Sequence, residues 1–162
     1  MLAQHVFEWS QLGTMTSSAR QSLMFNPSQH EVRQFFCEVQ RKLHDNLPLS
    51  PLEAIARDWI VQHPEYSQAL ADPEAALSAD YSVETGRSNP FLHLAMHLSI
   101  SEQLSIDQPP GIRAAFQQLA QRLGEHGAQH QIMECLGETI WNAQRSGLPL
   151  DADAYLECIR QR

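Results

Sequence analysis

The chain has 162 residues, 43% of them hydrophobic, with seven glycines and nine prolines, a globular composition with enough chain for a sizeable core. Nineteen acidic residues against eleven basic ones give a formal net charge of −8, Lys42 is the only lysine, and the arginines are scattered. That sign and distribution argue against a phosphate-binding face, so no nucleic acid and no anionic membrane is expected as a partner.

Cys37, Cys135 and Cys158 are odd in number and far apart, with no CxxC spacing. Neither a disulfide framework nor a thiolate zinc site is expected, and the implied setting is a reducing cytoplasm. Polar residues interrupt every apolar run before it reaches a membrane-spanning length. MLAQHVFEWSQLG has no early basic residue and carries Glu8 where a signal peptide needs a clean apolar stretch.

In chain order, residues 1–23 are expected to form a flexible tail, because TMTSSARQS is small, polar and aperiodic. Met24 opens MFNPSQHEV and is a natural start for a single helical domain over 24–162. Ser28 and Glu31 make a capping box ahead of a helix whose Val32, Phe35, Phe36 and Val39 share one face. Ser50, Pro51 and Glu53 repeat the signal before PLEAIARDWIVQ, and His63-Pro64 stops that helix. HPEYSQAL and DPEAAL are short helices at most, and Ser78 to Ser88 reads as a loop.

Asn89 and Pro90 then start a helix running to about Ser105, and DQPPG is a tight connection. The next helix covers Ile112 to Leu123, with Ile112, Ala115, Phe116, Leu119 and Leu123 as its buried stripe and Gly124 as its end. A further helix spans roughly His126 to Arg145, and DADAYLECIRQR makes a last, Asp-capped amphipathic one. No strand-like alternation of useful length occurs. The expected fold is all-α, an irregular bundle of about six or seven helices.

Two histidine pairs stand out. Residues four apart lie about 40° apart around a helix, so HxxxH can present two imidazoles to one ion. His93 and His97 sit in NPFLHLAMHLSI, a helix apolar nearly all round and therefore interior. His126, His130 and Glu134 follow at the same spacing on a later helix, and Gly137 there would let another helix approach closely. If the two helices face one another, His93, His97, His126 and His130 converge on a transition metal ion such as Zn or Fe, with Glu134 as a further ligand or general base. Glu65 and Tyr66 of HPEY are candidates for an outer shell, although a helix stop is the simpler reading of that segment. Neither pair is HExxH, no ExxH pairs face each other as in di-iron bundles, and no phosphate loop or serine-hydrolase signature is present.

MFNPS, HPEY, SNPFLHLAMHLSI, EQLSIDQPPGIR and MECLGE resemble a bacterial family known as domain of unknown function eighteen forty-one, over about Met24 to the C-terminus. The resemblance implies a cytoplasmic helical protein and brings no activity, ligand or partner. Two expectations therefore stand side by side. One is a metal-binding bundle, with hydrolytic or lyase chemistry if a water keeps one coordination position. The other is a scaffold whose histidines hydrogen-bond in the core, and whose final helix offers Tyr155, Leu156 and Ile159 as an apolar face for a homo-oligomer or another partner.

Overall fold

The computed structural model describes residues 28–81 and 86–162, so the expected tail at 1–23 lies outside the described residues. Seven α-helices and no strand occur among them: α1 (Gln29–His44), α2 (Pro51–Gln62), α3 (Ser67–Ala71), α4 (Pro73–Ser78), α5 (Pro90–Ile106), α6 (Ile112–Ser146) and α7 (Ala152–Arg160). The all-α expectation holds. A single 3-10 turn, Pro64–Tyr66, joins α2 to α3. No described helix is long and apolar enough to cross a membrane.

The helix starts follow the capping chemistry. Glu31 N–H donates to Ser28 Oγ at 3.2 Å while Ser28 N–H donates to the Glu31 carboxylate at 2.6 Å, and Ser50 and Glu53 repeat the exchange at 3.3 and 2.8 Å. Each box satisfies two donors that the first turn would otherwise leave open. Asp151 accepts from Ala154 N–H at 2.9 Å and opens α7.

The chain divides into two compact units, with the boundary inside α5, between Leu98 and Ser99. In the first, α1 is the hub and packs on α2, α3 and α4. Phe36, Val39, Ala56, Trp59, Leu70, Phe91 and Leu94 form its core. Arg33 reaches across and donates from Nη1 to the carbonyls of Ala76 (2.9 Å), Leu77 (3.2 Å) and Ala79 (3.0 Å). A six-residue helix has little stability of its own, and this guanidinium supplies the partners that its last carbonyls lack.

In the second unit, α7 packs along α6. Helix α6 is interrupted at Gly124 (φ 73°, ψ 165°), a backbone region open to glycine, so the expected stop is present although helix continues on both sides. Ile112, Ala115 and Leu119 are buried, whereas Leu123 is 46% exposed. The break follows it directly, and the stripe ends one turn earlier than its periodicity suggests. Gly137 has nothing within 4 Å of where a Cβ would stand, so it marks no close helix approach.

Two further expectations are corrected here. Cys135 and Cys158 are joined by a disulfide, which ties α6 to α7 across a sequence separation of 23. The pairing depends on how two helices pack, and no local spacing encodes that. The apolar face proposed on the last helix is internal: Tyr155, Leu156 and Ile159 are 0%, 6% and 0% exposed. Full burial of such side chains contributes roughly 1.5–3 kcal/mol each, which explains why a nine-residue helix stays docked.

Tyr155 O–H donates to Gln103 Oε1 at 3.0 Å, and burial pushes its phenol far above the ordinary range. Tyr155→Phe should remove that buried bond with little change in shape and lower the unfolding free energy by about 1–2 kcal/mol in urea titration.

Candidate metal centre

The site is built from the end of α2 and the first half of α5. Asn89 Oδ1 accepts from Phe91 N–H and Leu92 N–H, both at 3.1 Å, and this cap fixes where α5 begins. His93 and His97 then follow one turn apart on the same side. Phe91, Leu94 and Leu98 anchor the remaining faces in the core of the first unit.

His63 enters from a different direction. It caps the C-terminus of α2 at φ −124°, ψ 62°, outside helical space, as expected before Pro64. Its Nε2 lies 3.0 Å from His97 Nε2, which lies 3.2 Å from His93 Nε2. One ligand atom from each of the three rings falls within 4.8 Å of the others. With Zn–N bonds of about 2.0–2.1 Å, nitrogens on a tetrahedral ion stand about 3.3 Å apart, so the spacing suits a small transition metal.

The far side of His63 is also engaged. Its Nδ1 lies 2.9 Å from Glu65 Oε1, and an ionised carboxylate only accepts, so Nδ1 carries the proton. In the neutral ring this leaves the Nε2 lone pair directed at His97. A carboxylate behind a ligating imidazole fixes its tautomer and raises its basicity. The same contact holds the Glu65 carboxyl below its usual range.

Aromatic rings complete the setting. Trp59 stacks on His97 with centroids 4.1 Å apart and planes within 11°, and Tyr66 stacks on His63 at 5.3 Å. Burial, with Glu65 alongside, raises the Tyr66 phenol. His63 and His97 are 3% and 0% exposed, His93 is half-buried, and the Glu65 side chain is largely exposed. Aromatic rings therefore cover His63 and His97, and His93 is the least buried of the three.

The structure thus brings His93 and His97 together and adds His63, which the sequence reading took for a helix stop alone. Glu65 and Tyr66 both touch His63. His126 and His130 lie in the second unit, their half-buried rings 4.5 Å apart. Glu134, also there, is exposed and pairs with Arg162 Nη1 at 3.3 Å. The available signal for His63 was its HPEY context: a histidine at a forced helix end, two residues before a carboxylate.

The profile of one protein family, described as a domain of unknown function (DUF1841), matches residues 28–161. The chain belongs to this family. DUF1841 carries no activity in its description, and the match spans both units, so the histidines, Glu65, Tyr66 and Glu134 named above all fall within it. No curated protein and no solved structure matches the chain.

Asn89→Ala should cost about 1 kcal/mol, read as a lower unfolding midpoint, because α5 would lose the cap that sets its first turn.

Proposed function

We propose that this DUF1841 protein is a metal-binding protein whose centre is held by the Nε2 atoms of His63, His93 and His97. The observation that carries the reading is the convergence of those three nitrogens, 3.0 and 3.2 Å apart along the series, with Glu65 behind the first. An imidazole nitrogen offers one proton or one lone pair. Without an ion, His97 Nε2 has to share that single resource between two neighbours. An ion takes one lone pair from each ring.

Nitrogen donors suit Zn, Fe, Ni or Cu, and zinc is the first to try because it imposes no geometry of its own. His130 is proposed as the fourth protein donor on the strength of its HxxxH spacing, with His126 and Glu134 as the alternatives offered by the same helix. If water holds that position instead, the ion lowers the water's pKa towards about 7 and hydrolytic or lyase chemistry becomes accessible. As part of the same proposal, the protein works in the cytoplasm and away from nucleic acid.

A second reading has its own support: 3.0 and 3.2 Å are also hydrogen-bond distances, and a chain of neutral core imidazoles would produce them. Elemental analysis separates the two. Untagged protein grown with mixed trace metals and purified without chelators should carry near-stoichiometric metal, lost in His63→Ala and in His97→Ala. Metal-free wild type that also fails to take up zinc on titration would leave the imidazole chain as core structure. Loss of metal in His130→Ala would indicate a closed site, and retention an open one.

Glu65→Gln should keep the fold and lower zinc affinity by about 10- to 100-fold, measured by competition with a chromogenic chelator. An unchanged affinity would remove Glu65 from the site.

A further inference from the structure

The second unit contains a different chemistry that the metal reading does not use. Cys135 is completely buried on α6, while its disulfide partner Cys158, on α7, is half-buried and lines a surface pocket with Thr139, Asn142, Leu148 and Ala154. One sulfur of the bond is accessible and the other is not. Arg162 Nη2 stands 4.0 Å from Cys158 Sγ, and Glu138, which pairs with Arg162 at 3.0 Å, stands 3.8 Å from the same sulfur. A cation and an anion therefore flank the half-buried Cys158 sulfur, and the cation is shared with Glu134.

We propose that Cys135 and Cys158 form an exchangeable redox pair, with a dithiol as the reactant and the docking of α7 as the property that the exchange sets. A thiolate of the dithiol attacks Cys158 Sγ, forming a mixed disulfide and breaking the bond to Cys135, whose sulfur leaves with the electron pair and takes up a proton. The second thiol of the reductant, as thiolate, then attacks its own sulfur in the mixed disulfide. Cys158 is released as a thiol, and the reductant ends as an internal disulfide. Two electrons and two protons pass from the dithiol to the protein.

Attack at Cys158 rather than Cys135 follows from burial, and the need for a dithiol follows from geometry. After a monothiol has attacked, Cys135 still stands opposite Cys158, and its return is intramolecular, with the high effective concentration that implies. A monothiol is expelled. Only a reductant with its own second thiol competes with that return.

Once reduced, α7 retains the buried Tyr155, Leu156 and Ile159 but loses its covalent tie to α6. The connection at residues 147–151 and the helix beyond it should then open more often. This gives a redox state a mechanical output.

The test uses the full chain, isolated without reductant and with free thiols blocked by N-ethylmaleimide. Native wild type should react with dithiothreitol, and mapping after the quench should find Cys135 and Cys158 newly free. In Cys135→Ser, glutathione disulfide should add glutathione to Cys158. In Cys158→Ser, Cys135 should stay unmodified. Reduced protein should be cut by a non-specific protease within 147–151 at least about tenfold faster than oxidised protein, since cleavage tracks the open population.

The proposal is overturned if the two thiols are already free in protein trapped at lysis and stay free after treatment with glutathione disulfide. Modification of Cys135 in Cys158→Ser, or equal cleavage of the two redox states, would also overturn it. The wild type alone decides the matter if the variants misfold: reduction that proceeds only in step with urea unfolding would mark a purely structural staple and sink the proposal.

Discussion

His97 has no exposed surface, and an imidazole placed there has two nitrogens that water cannot reach. Burying polar groups without partners costs several kcal/mol, so everything around His97 is arranged to meet that demand. His63 and His93 approach its Nε2, Trp59 covers its face, and the apolar residues of α5 fix the helix that carries it. The same constraint sets the order of construction. The Asn89 cap decides the register of α5, the register puts His93 beside His97, and Pro64 holds His63 out of the helix that precedes it.

The local parts of this arrangement were legible in the chain. Capping boxes at Ser28 and Ser50, the stop at His63-Pro64, the start at Asn89, the Gly124 break and the Asp151 cap are each written in two to four adjacent residues. Their physics is equally local. The His93 and His97 pairing was visible for the same reason, since helix geometry fixes it once the helix is granted.

The remainder depends on which elements meet. His63 lies 34 residues from His97, at a point where helical periodicity no longer applies, so no spacing rule links them. Cys135 and Cys158 pair across two helices for a similar reason, and odd cysteine arithmetic argued against it. Tyr155, Leu156 and Ile159 were correctly read as one apolar face, but a pattern does not say whether that face is covered by the same chain or by another. Leu123 was placed on the buried stripe by a period that the next residue interrupts.

The 3-10 turn after His63 has a consequence for how the ring is presented. A ligand in mid-helix inherits its direction from the helix axis and moves with every shift of it. His63 is instead clamped by short-range parts: a proline ring that fixes the backbone ahead, a carboxylate two residues on and a phenol face at the third. Such a hand of four consecutive residues is a self-contained clip. Its aim is set largely within those four residues, and little rotational freedom is left to surrender when something arrives to be held.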